Sequence, residues 1–502
     1  MHRGAAIRSN AVYCPDRSCG CSLIRGRPSS TRSKSCACFQ PPTHRSRSFS
    51  RTVQRPCVAP LMHKLRVLWY LLVDALRRPL RTRADVEAWQ KRRLRRFARR
   101  VLAKSAYYRP YVRGGEVDLS TVPVMTKDLY VEHFTSINTA GIDRDQAMQV
   151  ALSAETSRDF STSLKGMTVG LSTGTSGKRS LFVVSPRDRA QWAAHVVRRI
   201  LLPHLRVPMR IAFFLRANSG LYESVRSMLF RFTYFDLTRP FAELLADAEK
   251  LQPQVLAAPP SILGRLIHEQ RNGAVHLRPT VVVSFAEVLH DDIRHAIVDT
   301  YGVEPVNIYQ CTEGFIGMTC AHGTMHLQED VMHIEPEWVD STHFRPVVTD
   351  FTRDAVPIVR YRMTDVLEVR ATPCPCGSPM IAVERIVGRD DDVLLFRNER
   401  GEDVAVFPDV LSRMIARCTD DYTSYRIRQT SWTQVVLQVH CPEAVRHDVE
   451  RAMSQAIIET CRTQGINSIA VTVEPYFDEP ITVKDRRIQR LVHDSFHFPA
   501  QQ

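Results

Sequence analysis

The sequence predicts an α/β fold: a large N-terminal multistranded α/β domain followed by a small C-terminal α+β lid domain. Three observations carry that prediction. Helix-like runs (Ala190–Leu202, Phe241–Leu251, Ser261–Arg271) alternate with short apolar, strand-like runs (Ile211–Leu215, Val255–Ala257, Val281–Phe285), which is the pattern of a sheet flanked by helices. Beyond Asp392 the pattern changes to two strands (Ser424–Arg428, Val435–Val439), one helix (Ala444–Arg462) and another strand (Ile469–Val473). The chain's 502 residues, 44% of them hydrophobic, are enough for more than one large core.

The first 61 residues stand apart. They hold 11 Arg and Lys against the single acid Asp16, and so carry most of the chain's formal charge of +15. The remainder is only mildly basic, which argues against nucleic-acid binding. This segment also contains Cys14, Cys19, Cys21, Cys36, Cys38 and Cys57, with Cys-x-Cys spacing too short for an ordinary zinc module. Residues 1–61 are read as a disordered or non-native extension, with Met62 as the expected start. A transit segment is the alternative.

Residues 64–104 read as amphipathic helices whose polar faces hold Arg77, Arg92, Arg93 and Arg95. A solvated face is expected there, with peripheral membrane contact as the other reading. No transmembrane segment is expected: the apolar run from Val67 to Leu76 is interrupted by Asp74 and is half the length of a span. Isolated cysteines after Met62 suit a reducing cytoplasm.

Next comes the segment richest in chemistry. Leu171-Ser172-Thr173-Gly174-Thr175-Ser176-Gly177-Lys178-Arg179-Ser180 lies between the strand-like runs Met167–Leu171 and Leu181–Ser185, as the tip of a hairpin would. Glycines let the backbone approach an anion, hydroxyls donate hydrogen bonds, and Lys178 supplies a cation. The composition is phosphate-binding, but it is not a P-loop: Ser172 and Arg179 occupy positions that motif reserves for Gly and Ser/Thr.

Four further segments follow in order: Tyr309-Gln310-Cys311-Thr312-Glu313-Gly314, Val356 to Asp365 (Val-Pro-Ile-Val-Arg-Tyr-Arg-Met-Thr-Asp), Val387-Gly388-Arg389-Asp390-Asp391-Asp392, and Ile481 to Ile488 around Lys484. With the loop at 172–178, they resemble the motif series of the acyl-adenylate-forming superfamily. The closer resemblance is to the branch of phenylacetate–CoA ligases and deazaflavin-cofactor synthetases, over roughly Met62 to His493. It implies an ATP- and acyl-binding domain at 62–388 and a lid at 389–502, rotating about Asp391/Asp392, with Arg389 among the cofactor-binding residues.

The resemblance also implies roles. Residues Ser172, Thr173, Gly174, Thr175, Ser176 and Gly177 with Lys178 would hold the β- and γ-phosphates of ATP. Tyr309 would stack on adenine beside Thr312, and Ala286 and Glu287 would form the adenine-contacting turn. Asp365 would accept from the ribose hydroxyls, Glu313 would bind Mg²⁺, and Lys484 would meet the carboxylate and α-phosphate. The departures are Arg179 for a proline, Val483 for a glycine, and Phe285 and Val288 around the Ala-Glu pair. Cys320 with His326 and Cys374 with Cys376 sit where the branch carries a cysteine–histidine set, which would hold a closed structural Zn²⁺. The other reading is four ordinary side chains, and His322 is expected to face solvent.

The implied activity is a two-step ligation, in which a carboxylic acid, of aromatic type by the branch, becomes an acyl-AMP and is passed to CoA or an acyl carrier protein. The alternatives are an adenylyltransferase acting on a hydroxyl and a non-catalytic descendant. Between Phe213 and Pro260 the acyl pocket is expected to use Phe213, Phe214, Asn218, Tyr222 and Tyr234.

Overall fold

In the computed structural model, residues 59–171, 181–205, 207–227, 229–389, 392–419, 421–477 and 486–492 are described. Two helices come first. Helix α1 (Ala59–Ala75) leads into α2 (Arg83–Arg100), whose start is fixed by a capping box between Thr82 and Asp85. Helix α2 buries Val86, Phe97 and Ala98. It is pinned from the side by the Trp89 indole, which donates to the Asp330 carbonyl at 2.7 Å.

Two of the four arginines expected on a solvated face, Arg77 and Arg93, turn inward instead. Arg77 donates to the fully buried Asp330 carboxylate at 2.9 Å, and Arg199 reaches the same oxygen at 2.5 Å. Burial would raise the Asp330 carboxyl, but the guanidinium groups of Arg199 and Arg77 outweigh it and hold the carboxyl well below its ordinary range. Arg93 is also sunk into the protein, where burial lowers its pKa. Arg92 and Arg95 remain exposed.

Among the described residues, the centre of the molecule is a twelve-stranded sheet. Its parallel half comprises β1 (Met209–Leu215), β2 (Phe230–Asp236), β3 (Val255–Ala258), β4 (Val281–Phe285) and β5 (Val306–Cys311), in the order β5-β4-β3-β1-β2. Helices α3 (Pro186–Val196), α4 (Phe241–Leu251), α5 (Pro260–Arg271) and α6 (Asp291–Tyr301) flank these strands. The predicted alternation is therefore present, though the run at 190–202 begins earlier and passes into a π-turn at Val197–Leu201. Val-, Leu- and Ala-rich β3 is buried on both faces, as a central parallel strand must be. The sheet then turns antiparallel through β6 (Gly314–Thr319), β7 (Met325–Leu327), β8 (Met332–Trp338), β9 (His343–Asp350), β10 (Ile358–Arg362), β11 (Asp365–Val369) and β12 (Ala382–Arg389). A separate hairpin pairs Met167–Leu171 with Leu181–Val184, with Leu171 opposite Leu181, so residues 172–180 connect two antiparallel strands as expected.

After β12 the chain builds the small α+β unit. Its four-stranded sheet contains β13 (Ser424–Ser431), β14 (Gln434–His440), β15 (Ala470–Pro475) and β16 (Ile488–Arg490), in the order β15-β14-β13-β16. Helices Pro408–Cys418 and Arg446–Thr463 pack on it around a core of Leu411, Ile427, Leu437, Met453 and Ile457. This core is separate from those of the large domain. The unit touches the large domain through the Phe407 ring, stacked 4.7 Å from His343 on β9, and through Arg487, 2.9 Å from Asp292 on α6.

Candidate active site

The site lies where the parallel half of the sheet meets the antiparallel half, at the C-terminal ends of β4 and β5. Open α/β sheets leave ligand crevices at such strand ends. Two segments there are shaped by their backbones. Ala286, just after β4, is held at φ +70°, a left-handed conformation that L-residues adopt at a cost and that clusters at functional sites. The tight connection from β5 to β6 places Thr312 and Glu313 at the turn.

A single cavity of about 490 Å³ runs from this point into the protein. Its polar end is lined by Thr312, Glu313, Arg353, Asp365 and Arg389, with Ala286 beside them. These groups are held by one another. The Thr312 hydroxyl donates to Glu313 at 2.9 Å, and Arg353 donates to the Thr312 carbonyl at 2.5 Å. Asp365 and Arg389 face each other across β11 and β12, with Nε 3.6 Å from Oδ1. The other Asp365 oxygen accepts from the Tyr309 hydroxyl at 2.6 Å. Burial first, and the Asp365 charge next, push the Tyr309 phenol well above its ordinary value. The neighbouring Cys311 thiol is likewise raised by burial and then by Glu313, so both stay neutral.

The other end is apolar. Alternate residues of β1 (Ile211, Phe213, Leu215) form one wall, and Trp192, Val196 and Ile200 form the facing one. Four strand residues span about 13 Å and eight helical residues about 12 Å, so the cavity is a deep slot between helix and sheet. Phe285 stacks on Phe213 at 4.9 Å. The Trp192 indole donates to the Gln310 side chain at 3.0 Å, fixing its ring beside the polar end.

Several expected site residues are therefore together, and others are not. Glu313, Thr312, Asp365, Arg389 and Ala286 line one cavity, along with Phe213, Asn218 and Tyr222. The Tyr309 ring is buried in the main core, and it reaches the site only through its hydroxyl. Glu287 does not line this cavity but an adjoining one shared with Asp365 and Arg389, and it accepts from the Ser261 backbone N–H at 3.1 Å. Phe214 does not line the pocket: strand alternation sends it to the opposite face, stacked 4.4 Å from Phe235. Tyr234 also does not line it, and its hydroxyl accepts from Arg158 at 3.2 Å. Lys178, the loop 172–177, Asp390, Asp391 and Lys484 lie outside the described residues. Sequence reading missed Arg353, which carries no motif signal, and the Trp192-Val196-Ile200 wall, whose spacing of four was available.

A second constellation lies on β6, β7 and the turn before β12. Cys320, His326, Cys374 and Cys376 bring their ligand atoms within 4.8 Å of one another. The Cys320 and Cys374 sulfurs are 3.7 Å apart, and Cys376 sulfur is 3.2 Å from His326 Nε2. With Zn–S bonds of about 2.3 Å, a tetrahedral ion demands sulfur–sulfur edges of roughly 3.8 Å. The other histidine nitrogen lies 3.4 Å from the Met380 carbonyl, which orients the ring. Burial raises the Cys374 thiol, but hydrogen bonds from Thr324, the Cys376 backbone and His326 prevail and bring it to about 6. His322 is exposed, as expected.

Comparison with known proteins bears on this geometry. No protein-family model matches the chain. The chain is similar to the phenylacetate–coenzyme A ligase of Thermus thermophilus, 26% identical over 233 residues, 42% of this chain and 51% of that one. It is also similar to that of Escherichia coli, 30% identical over 198 residues, 36% of this chain and 42% of that one. The chain thus matches about half the length of these curated relatives, or less. Among solved structures, 2-hydroxyisobutyryl-CoA ligase in its postadenylation state aligns with a TM-score of 0.59 at 16% identity, covering 82% of this chain and 90% of that one. Its open conformation aligns at 0.51.

The chain therefore has the fold of 2-hydroxyisobutyryl-CoA ligase, a large α/β unit followed by a small α+β unit. In sequence, the chain is similar to phenylacetate–CoA ligases over part of its length, the same branch that its motifs resemble.

Proposed function

We propose that this protein is an ATP-dependent ligase that activates an elongated apolar carboxylic acid as its acyl-AMP and passes the acyl group to the thiol of CoA. The observation that carries the reading is the single cavity with a charged end and a wholly apolar end. An acid in the slot would present its carboxylate at the strand ends, beside Glu313 and Asp365. A carboxylate oxygen then attacks the α-phosphorus of ATP, and the bond to pyrophosphate breaks. In the second half-reaction a thiolate attacks the acyl carbon, and the bond to AMP breaks.

The chain's contribution is positioning and charge placement. Asp365, backed by Tyr309 and Arg389, accepts from ribose hydroxyls. Glu313, oriented by Thr312, would hold Mg²⁺. Mg²⁺ bound there would neutralise phosphate charge, a role that suits a carboxylate beside a hydroxyl. Arg353 holds the Thr312–Glu313 turn in place. Lys484, Lys178 and residues 172–177, outside the described residues, carry the roles that the family resemblance implies. A 62–388 catalytic domain and a 389–502 lid follow the same resemblance. Cys320, His326, Cys374 and Cys376 form a closed donor set of three sulfurs and one nitrogen, which suits structural rather than catalytic zinc.

Walls that run about 12–13 Å along helix and strand suit an acid whose apolar group is longer than one aromatic ring. Burying a methylene contributes about 0.8 kcal/mol, or roughly fourfold in affinity. The test is ATP–pyrophosphate exchange on the full chain, over straight-chain and aryl-substituted acids of rising length, followed by thioester formation with CoA. Exchange that strengthens with each methylene until the slot is full supports the reading. Exchange with hydroxyl acceptors alone would replace it.

A further inference from the structure

Helix α1 turns its broader apolar stripe outward. Most surface helices turn an apolar stripe to the core and charges to water. Here the inward face is mixed: Val67 and Leu71 pack against the core, with three polar groups beside them. His63 Nε2 lies 3.0 Å from the Ser224 carbonyl, and the Tyr70 hydroxyl accepts from Arg187 at 3.0 Å. Asp74, the helix's one acid, is 2.5 Å from Arg198. The outward face is Leu61, Leu65, Leu68, Trp69, Leu72 and Leu76, each between 50% and 77% exposed. At 100° per residue these six positions fill an arc of about 100°.

The charges fit this stripe. Lys64 borders one edge of the arc and Arg66 the other, both exposed. A groove beside the stripe is lined by Leu65 and Trp69 together with Arg66, Arg100 and Lys104. Between residues 64 and 100 the sequence has thirteen Lys and Arg against three acids, and Asp74 is turned inward. Leucine and tryptophan outward, basic residues on the flanks and no outward acid on the helix complement an anionic lipid surface, where long basic side chains reach headgroup phosphates.

We infer that α1 is an interfacial anchor that lies in the headgroup–acyl boundary of an anionic membrane. Leu61 to Leu76 enter the acyl region, and Lys64, Arg66, Arg100 and Lys104 meet lipid phosphates. The inner face of α1 packs along α3, the helix whose Trp192 and Val196 wall the apolar slot. The lipid-facing surface is therefore one helix away from the slot.

The test is co-sedimentation of the full chain with phosphatidylcholine vesicles, with and without phosphatidylserine, at two salt concentrations. Binding to the anionic vesicles, weakened by salt, is expected. Leu68→Glu/Leu72→Glu should lower it by at least roughly tenfold, and Arg66→Glu/Lys104→Glu by roughly tenfold. Both variants should keep the parent's melting temperature and its exchange activity in solution. No binding to either vesicle overturns the inference. So does a dimer that Leu68→Glu/Leu72→Glu dissociates, which would make the stripe a contact between copies.

Discussion

The two ends of the cavity are built by different means. At the polar end each side chain is positioned by another: Glu313 by Thr312, the Thr312 carbonyl by Arg353, and Asp365 by Tyr309 and Arg389. At the apolar end, position follows from the repeat of a strand and a helix, and apart from Trp192, held by Gln310, each residue contributes volume. The difference teaches where change is tolerated. A group held by directed bonds fails when one bond is lost, whereas an apolar wall exchanges volume at modest cost.

The largest expected effect tests the first half of that statement. Glu313→Gln keeps the shape of the side chain and removes its charge. We expect exchange to fall by roughly 10²–10³-fold, with the melting temperature little changed. Activity within a few-fold of the parent would mean that the polar end does not handle phosphate. Next in size is the cysteine–histidine set, which is positioned by directed bonds yet lies outside the cavity. Metal analysis should find about one zinc per chain. Cys374→Ser should lose it and destabilise the fold by roughly 2–4 kcal/mol, read by denaturant unfolding. A metal-free protein with unchanged stability on Cys374→Ser would reduce the set to ordinary side chains.

A third directed cluster, the Asp330 site beneath α1 and α2, is tested by pH. Burial, then the nearby Arg199 charge, lowers His195 to about 3. Its folded pKa is below the unfolded value of about 6.5, so the unfolded chain binds the extra proton between these values. Stability is then present above about pH 6.5 and lost as pH falls, by up to about 1.4 kcal/mol per unit. Asp330, depressed by Arg199 and Arg77 despite burial, adds a loss in the same direction below about pH 3.9. His195→Gln should flatten the decline between pH 6.5 and 5 by about one proton; an unchanged slope would place the titration elsewhere.

How much of this was legible follows from the same contrast. The polar end could be read because its residues sit in short contiguous segments, such as Tyr309 to Gly314 and Val356 to Asp365. The cysteines and His326 could be read because few residue types ligate zinc. The apolar end was read only partly. Alternation along β1 shows that Phe213 and Phe214 face opposite ways, but not which of them meets the slot. Arg353 has no motif around it, and its role exists only through a contact with the Thr312 carbonyl. Helix α1 shows the limit most clearly: its period was visible in the sequence, but a period does not say which face turns inward.

Volume at the apolar end is tested by Ile200→Trp, which fills the far part of the slot. For long acids KM should rise roughly fifteenfold, about the cost of two methylenes at 0.8 kcal/mol each, while short acids and ATP are unaffected. Overpacking can cost 1–3 kcal/mol of stability, in order-of-magnitude terms, so Ile200→Phe provides a milder variant. Equal loss for acids of every length would show that Ile200 supports the fold and does not set the length.

The smallest effect lies between the two ends. Ala286 holds φ +70°, which costs a non-glycine residue about 1–2 kcal/mol. Ala286→Gly relieves that strain but gives back about 0.4–1 kcal/mol through the freer unfolded chain. The two terms nearly cancel, so stability should change by about 1 kcal/mol or less. The turn itself should loosen, because glycine accepts other conformations there. The expected result is an unchanged melting temperature with a few-fold higher KM for ATP. If Ala286→Gly instead stabilises the protein clearly and leaves KM alone, the strain is incidental to the site, and the turn belongs with the tolerant apolar wall.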